Sequence, residues 1–241
     1  SIASLFGFRM LGLFMVLPVL ALATGDYPDF TPLMLGITLG AYGLTQAILQ
    51  IPLGLLSDRI GRQPVIIGGL LMFIAGSIVA ALADTMIGLV IGRALQGTGA
   101  IASTLMALVA DLTGEQNRSK AMATIGGSIG FSFMLAMILG PLFAANFGLP
   151  SVFWVTAALG VVGIFIAQFL VPKAVSMRRN REAMTDAQQI RGLLAESNLM
   201  RLNIGIFSLH FALMAAFVAI PTMLSDELSI SGGNLSWVYL G

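Results

Sequence analysis

The stretch GLLSDRIGRQP, residues 54–64, places one aspartate and two arginines between two long apolar segments. Glycines flank the charged residues, and glycine permits tight turns and close approach of backbones. Asp58 can pair with Arg59 or Arg62, or lie against the positive N-terminal end of a neighbouring helix. The stretch therefore predicts a short charged turn between two membrane-spanning helices.

The composition of the whole chain is that of an integral membrane protein. Hydrophobic residues make up 57% of its 241 residues and charged residues only 10%, whereas soluble domains carry about 25% charged residues. Cysteine is absent, which excludes disulfides, thiolate metal sites and cysteine nucleophiles. A single histidine, His210, argues against a metal centre built from several histidines. We therefore expect no metal, no cofactor and no enzymatic activity, since no cluster of His, Asp or Glu lies inside an apolar segment.

Seven apolar segments reach the roughly 20 residues that a helix needs to cross a hydrocarbon core of about 30 Å. These spans cover residues 2–24, 32–57, 64–83, 87–110, 119–146, 151–171 and 199–224. An eighth begins near Ser231, and we expect the chain to be truncated at both ends. The prediction is an all-α, polytopic membrane protein with a six-helix bundle at 1–171, a linker at 172–198 and the start of a second bundle at 199–241.

The placement of Lys and Arg predicts the orientation of the chain. Basic residues occupy the loops after spans 2, 4 and 6, whereas the loops between them carry acidic residues and neither Lys nor Arg. Basic loops face the cytoplasm, so the N-terminus is expected to be cytoplasmic. The long basic linker is expected to be either a solvated connection or an amphipathic helix on the membrane surface.

An internal repeat relates spans 1–3 to spans 4–6. GLTQAILQIPLGLLSDRIG begins at Gly43 and GFSFMLAMILGPLFAANFG begins at Gly130, an offset of 87 residues between two glycine-bounded segments of equal length. Arg9 in span 1 and Arg93 in span 4 are 84 residues apart. Three spans in each unit force the second unit to be inverted, which is the arrangement that transporters use for alternating access.

Two motifs resemble signatures of one transporter family. GLLSDRIGR, residues 54–62, is similar to the G-x-L-[AS]-D-[RK]-x-G-R motif between helices 2 and 3 of the major facilitator superfamily. RALQGTGA, residues 93–100, resembles the R-x-x-Q-G-x-G-[AG] motif of helix 4. The resemblance implies the major facilitator fold, with this chain as the N-terminal half plus the start of the second half, and a monomer when full length.

Within the superfamily the sequence is similar to the drug/proton antiporter branch, both in the helix 4 motif and in Gly140-Pro141 of span 5. The helix 5 motif of that branch is G-x-x-x-G-P-x-x-G-G, and here Ala136 replaces its first glycine and Ala144-Ala145 its last pair. The resemblance implies proton-coupled efflux of small amphipathic compounds or drugs. The alternatives are a metabolite or sugar exporter or importer on the same fold, and a non-transporting sensor.

The resemblance also implies roles for individual residues. The first motif is implied to be a conformational latch that holds the outward-open state through helix 11, although a simple turn that fixes topology is the alternative. The latch residues are Gly54, Asp58, Arg59, Gly61, Arg62 and, at the same end of span 4, Asp111. Proton coupling is implied for Arg93, Gln96 and Gly97. Because no Asp or Glu lies deep within a predicted span, the further candidates for the proton-coupling group are Asp26, His210, Asp111 and a residue of the missing half.

A substrate cavity is predicted between the spans. A central arginine costs about 2.5–3.5 kcal/mol on insertion scales and usually faces the bundle interior or a water-filled cavity, although Arg9 has the alternative of snorkelling to the surface. Tyr42, Gln46 and Gln50 recur every four residues and so share one helix face, lining the cavity or bonding between helices. The predicted cavity residues are Arg9, Tyr42, Gln46, Gln50, Asn203 and Phe207. The expected partners are a small-molecule substrate, protons and the lipid bilayer, and no nucleic acid.

Overall fold

The computed structural model describes residues 2–25, 27–171 and 195–228. Within these ranges it contains seven helices that are long and apolar enough to cross a membrane. In chain order, α1 to α7 span Ile2–Ala23, Pro32–Ile60, Arg62–Ala81, Met86–Leu112, Glu115–Phe147, Leu149–Leu170 and Ser197–Leu228. The predicted all-α, polytopic membrane architecture is confirmed.

Helices α2 and α5 extend past the apolar segments that predicted them. Helix α2 continues to Ile60 and α5 begins at Glu115, so each carries polar residues beyond the segments predicted at 32–57 and 119–146. Most of the predicted linker, residues 172–194, lies outside the described residues, as does the predicted eighth span.

One glycine follows the second helix of each repeat. Gly61 comes directly after α2 and Gly148 directly after α5, and their φ angles of 110° and 77° are both positive. L side chains rarely adopt positive φ, so these positions favour glycine. The two glycines are 87 residues apart, which is the predicted repeat offset, and each is followed directly by the next helix.

The first helix of each repeat is interrupted at an equivalent place. Helix α1 breaks at Val16 and α4 breaks at residues 99–101. The first break follows Arg9 by seven residues, and the second is centred seven residues after Arg93. Pro18 accounts for part of the first break because it lacks a backbone N–H. The interruption is therefore a shared feature of the two repeats.

The packing of the six helices follows the same symmetry. Helix α1 packs against α5 and α6, α4 packs against α2 and α3, and α3 packs against α6. If α1–α3 are exchanged for α4–α6, the α1–α5 pair becomes α4–α2 and the α1–α6 pair becomes α4–α3. The α3–α6 pair is unchanged by the exchange, as expected for two related units. Within the most apolar 18 residues of each helix, 72% of the residues of α1 are buried inside the bundle, compared with 17% for α2 and 28% for α5. Helix α7 contacts the second segment of α1.

Small residues bring α4 close to its neighbours. A Cβ added to Gly92 would lie 2.6 Å from the Ala80 nitrogen of α3, and one added to Gly97 would overlap the Tyr42 carbonyl oxygen of α2. Small residues at helix interfaces allow such close backbone contact in membrane proteins. The polar side chains of α2, α3 and α4 consequently meet inside the bundle.

Candidate functional site

A charged cluster joins the junction of α2 and α3 to the end of α4. This loop cluster consists of Ser57, Asp58, Arg62 and Asp111. Arg62 Nη1 lies 2.5 Å from Asp58 Oδ1, and Arg62 Nε donates to Asp111 Oδ2 at 2.9 Å. Arg62 Nη1 also donates to Ser57 Oγ at 2.7 Å. One guanidinium therefore ties three helices together at one end of the bundle.

The groups of the loop cluster differ in burial. The Arg62 side chain is 12% exposed, whereas Asp58 and Asp111 are 53% and 37% exposed. Ser57 is fully buried, and its hydroxyl donates to the Gly54 carbonyl at 2.6 Å. Ion pairs with exposed carboxylates contribute about 0–1 kcal/mol each, so the cluster is held by contacts that water can replace.

The residues of the first motif come together only in part. A Cβ on Gly54 would lie 3.2 Å from Ser103 Oγ of α4, as the predicted close approach requires. Asp58 pairs with Arg62 rather than with Arg59, which is exposed and has no ion pair within the described residues. Sequence reasoning missed Ser57, although its place inside the motif is a signal that could have found it.

A second cluster lies inside the bundle between α1, α2 and α4. This arginine cluster consists of Arg9, Tyr42, Gln46, Arg93 and Gln96. Arg9 Nη2 donates to Tyr42 OH at 3.0 Å and to Gln46 Oε1 at 3.2 Å. Arg93 Nη1 donates to Gln96 Oε1 at 2.9 Å, and its guanidinium carbon lies 4.7 Å from the centre of the Tyr42 ring. Tyr42 thus contacts both arginines, each of which is 1% exposed.

The break in α4 provides a further acceptor for Arg9. Arg9 Nη2 donates to the Gly99 carbonyl at 3.3 Å, and Gly99 lies at the start of the interruption, where carbonyls lack their usual helical donor. The snorkelling alternative for Arg9 is wrong, because the side chain is buried and bonded inside the bundle. Its predicted role in lining a substrate cavity stays a prediction.

Two small hydroxyl residues that sequence reasoning missed support the arginine cluster. Gln96 Nε2 donates to Ser77 Oγ of α3 at 2.8 Å. Thr45 Oγ1 of α2 donates to the Ala94 carbonyl of α4 at 2.9 Å. Thr45 lies three residues after Tyr42, so its position on the predicted polar face of α2 is a signal that could have found it.

Several donors of the arginine cluster are unused. Arg9 Nε, Arg9 Nη1 and Arg93 Nε are buried and have no hydrogen-bond partner among the described residues. No carboxylate in that part of the chain forms an ion pair with either arginine. Buried charges are costly unless they are paired, so the cluster holds two positive charges that its neutral neighbours do not balance.

The other predicted cavity residues lie in two places. Gln50 Oε1 accepts a hydrogen bond from Gln46 Nε2 at 3.4 Å, so the polar face of α2 continues from the arginine cluster to Gln50. Asn203 and Phe207 are exposed on α7 and are not brought to the cluster. Helix α7 packs on the bundle near its other end, where Phe217 is buried.

The remaining candidates for proton coupling are dispersed. His210 is exposed on α7, and its Nδ1 lies 2.9 Å from the Ile206 carbonyl of the preceding turn. Asp111 belongs to the loop cluster, and Asp26 lies outside the described residues. The described residues hold no group of three His, Cys, Asp or Glu that could bind a metal ion.

The helix 5 motif contributes to packing. Gly140 and Pro141 are buried in α5, and a Cβ on Gly140 would overlap the Met15 carbonyl oxygen of α1. Helix α5 continues through Pro141 to Phe147. The first half of this motif therefore lets α5 approach α1 where α1 is about to break.

At the opposite end of the bundle, the loop after α1 is fastened to the start of α4. Asp29 Oδ1 accepts the Met86 N–H at 2.7 Å and Oδ2 accepts the Ile87 N–H at 3.3 Å. An acidic group is favourable at a helix N-terminus. Tyr27 OH donates to the Ala83 carbonyl at 3.2 Å, and burial, followed by the nearby Asp84 carboxylate, raises the pKa of Tyr27.

The sequence matches known membrane transporters. The family model described as Major Facilitator Superfamily matches residues 2–241. The chain is 50% identical over 226 residues to the inner membrane transport protein YajR of Escherichia coli (strain K12), covering 94% of this chain and 50% of YajR. It is 28% identical over 210 residues to the multidrug resistance protein MdtL of Escherichia coli O81 (strain ED1a), covering 85% of this chain and 52% of MdtL.

The fold is similar to that of solved transporters. A bacterial homolog of the human lysosomal transporter Spinster, in an inward-facing and occupied conformation, matches with a TM-score of 0.78 at 14% identity, over 98% of this chain and 55% of that chain. The chain spans about half the length of the curated relatives named here. These relatives are transporters, in agreement with the prediction that the chain is not an enzyme. The resemblance carried by the two motifs is confirmed: the chain is a multi-pass membrane protein and belongs to the Major Facilitator Superfamily.

Proposed function

We propose that the chain is the N-terminal half, with the start of the second half, of a secondary active transporter that exports small amphipathic compounds in exchange for protons. In this layout residues 1–171 form one bundle, 172–198 the linker and 199–241 the start of the other bundle. The family match and the naming of YajR as a transport protein support transport. The naming of MdtL as a multidrug resistance protein supports efflux.

The loop cluster is the observation that carries the proposal. Arg62 ties the α2–α3 junction to α4 through exposed carboxylates that water can replace. Contacts of this strength suit a latch, because a few kcal/mol are enough to shift the populations of two conformations. Arg59 is exposed beside the cluster and is proposed to contact the second bundle.

Proton coupling is proposed to involve Arg93, Gln96 and Gly97 of α4. Gly97 brings α4 against α2, and Gln96 holds Arg93 while bonding to α3. No Asp or Glu is buried among the described residues up to Phe217. The protonated group is therefore proposed to be Asp26, His210 or a residue of the second bundle, acting on the charge of Arg93.

The transporter is proposed to lie in a bacterial inner membrane as a monomer, with its N-terminus in the cytoplasm. The basic loops after spans 2, 4 and 6 support this orientation, and YajR is named an inner membrane protein. Its proposed partners are a small-molecule substrate, protons and lipid.

Transport of a metabolite or sugar on the same fold is a second candidate function. The observation that favours it is the arginine cluster, whose two buried positive charges suit a polar solute better than a lipophilic cation. The direction of proton movement separates this candidate from efflux by antiport.

The test is transport by the purified full-length protein in liposomes that enclose a pH-sensitive dye. The panel contains lipophilic cations, organic anions and sugars, and the sign of the substrate-dependent pH change separates antiport from symport. Arg93→Ala and Asp58→Asn are each expected to slow transport at least about tenfold, a difference of roughly 1.4 kcal/mol. Arg118→Ala removes an exposed arginine outside both clusters and is the control. Undiminished transport in both test variants contradicts the assigned roles.

A further inference from the structure

We propose that the arginine cluster binds the anionic group of a small solute, and that the substrates are therefore amphipathic anions. This inference rests on the proposed transport function and specifies its substrate class. It starts from two guanidinium groups, each 1% exposed, that contact the same tyrosine side chain.

The charges of the two arginines are not balanced by the groups around them. Every acceptor described for Arg9 and Arg93 is neutral: the Tyr42 hydroxyl, the Gln46 and Gln96 amides and the Gly99 carbonyl. Neutral acceptors satisfy single N–H groups but leave the net charge in a medium of low dielectric constant. A bound anion supplies the missing counter-charge.

Asp29 and Asp111, at the two ends of α4, are engaged elsewhere, and Asp84, just before the start of the helix, is exposed. Asp29 accepts the N–H groups of Met86 and Ile87 at the start of the helix. Met86 is seven residues from Arg93, about 10 Å along a helix that rises 1.5 Å per residue. Asp111, at the other end, accepts from Arg62. Neither carboxylate is placed to pair with Arg93.

Three buried nitrogens remain available to a ligand. Arg9 Nε, Arg9 Nη1 and Arg93 Nε have no partner among the described residues. Guanidinium donors form short, charge-assisted hydrogen bonds with carboxylate and phosphate oxygens. The unused donors come from two different helices, so an anion between them would be held by both repeats.

A polar route leads from the cluster to the surface of α2. Gln46 accepts from Arg9 at 3.2 Å and donates to Gln50 at 3.4 Å, and both glutamines are half-buried. Helix α2 is also among the least enclosed helices of the bundle. An entering anion replaces Gln46 as the acceptor for Arg9, and the freed Gln46 turns toward Gln50 and the solute.

The first test measures thermal unfolding of the purified full-length protein in detergent with sodium benzoate, neutral benzamide and sodium chloride. Benzoate is expected to raise the unfolding midpoint saturably, and benzamide to leave it unchanged. Equal stabilisation by chloride at the same concentration identifies the ligand as a free inorganic anion and overturns the assignment of amphipathic anions as substrates. Absence of saturable stabilisation by both salts overturns the site itself.

The second test removes the proposed donors. Arg9→Gln is expected to weaken the apparent affinity for benzoate at least about tenfold, whereas the control Arg118→Gln retains it. If Arg9→Gln does not give a monodisperse protein, Arg9→Lys keeps the charge but offers a single ammonium group, and a several-fold loss is expected. Benzoate affinity equal to wild type in the folded variants contradicts the proposal.

Liposome transport distinguishes this inference from the function on which it rests. Exchange of labelled benzoate against unlabelled benzoate, lost in the Arg9 variant, supports both. Transport of lipophilic cations or sugars without any stabilisation by anions overturns the inference and leaves the proposed transport function standing. Saturable stabilisation by benzoate without transport of any panel compound overturns the proposed function and leaves an anion site.

Discussion

Replacing Arg62 by alanine is expected to destabilise the full-length protein by about 2 kcal/mol, whereas Arg118→Ala costs less than about 0.5 kcal/mol. Arg62 contacts two exposed carboxylates, each worth about 0–1 kcal/mol, and these are Asp58 and Asp111. It also donates to the hydroxyl of buried Ser57, a contact worth about 0.5–1.5 kcal/mol. Arg118 is exposed and has no ion pair within the described residues.

The measurement is the thermal unfolding midpoint of both variants in detergent. For a protein of 150–250 residues, 1 kcal/mol corresponds to about 2–4 °C, and for one of twice that length to about half as much. The full-length Arg62→Ala variant should therefore unfold roughly 2–4 °C below wild type. Raising the salt concentration from 0.1 M to 1 M shortens the Debye length from about 10 Å to about 3 Å. The gap between the variants should narrow at high salt without closing, because the bond to Ser57 is not screened.

Two results would refute this reasoning. Equal midpoints for Arg62→Ala and Arg118→Ala would show that the three contacts of Arg62 do not stabilise the protein. A gap that is insensitive to salt would show that the carboxylates contribute nothing and that the bond to Ser57 and side-chain packing are responsible. Asp111→Asn, which keeps the shape of the side chain, should lower the midpoint by less than Arg62→Ala.

Gly61→Ala is expected to lower the free energy of unfolding by about 1–3 kcal/mol, because the residue has a φ of 110°. The control is Gly43→Ala, at a helical position with open space around it. In a thermal unfolding experiment this control should be neutral or stabilising. Gly97→Ala should push α2 away from α4 and disturb Tyr42, whereas the matched control Gly40→Ala places its methyl group in open space. Gly97→Ala is therefore expected to lower the unfolding midpoint and to reduce transport, and Gly40→Ala to change neither. The pKa of Tyr27 is raised above its ordinary value of 10.0 by burial and by Asp84, so its contribution to stability is complete below pH 10 and is lost as the pH rises further. Tyr27→Phe should remove that part of the alkaline decline in the unfolding midpoint, and an unchanged decline contradicts the assignment.

Much of the fold could be predicted from the sequence because membrane insertion constrains helix length and loop charge. The seven spans follow from hydropathy, since each must supply about 20 apolar residues. The repeat follows from the offset of 87 residues, which Gly61 and Gly148 reproduce as the two positive-φ glycines among the described residues. The break in α4 was not predicted, because Gly99 tolerates a helix as well as a turn until its surroundings are known.

The sequence also predicted some contacts of the two clusters and not others. The sequence offered both Arg59 and Arg62 as partners of Asp58, and the turn at Gly61 selects Arg62, whereas Asp111 follows from its place at the same end of the bundle. The meeting of Arg9 and Arg93 at Tyr42 depends on the rotation and depth of three helices, and a sequence pattern does not specify those quantities. For the same reason, the periodicity of α7 gave no indication that Asn203 and Phe207 lie apart from the arginine cluster.

The two clusters share helices, which limits how one can influence the other. Helix α2 contributes Tyr42 to the arginine cluster and Asp58 to the loop cluster. It contacts α4 on both sides of the break at residues 99–101, because Tyr42 lies against Arg93 and the Gln50 carbonyl accepts a hydrogen bond from Ser103 Oγ at 2.7 Å. A change in the loop cluster reaches Arg93 if α4 bends at this break, if α2 moves along α4, or if α3 moves, because α3 carries both Arg62 and the Ser77 hydroxyl that is bonded to Gln96. At Gly97 the backbone of α4 is in direct contact with the backbone of α2, so α2 can slide along α4 only if the two helices first move apart. Bending at residues 99–101 is therefore one of the movements, together with a movement of α3, by which a latch at Arg62 could alter the surroundings of the buried arginines.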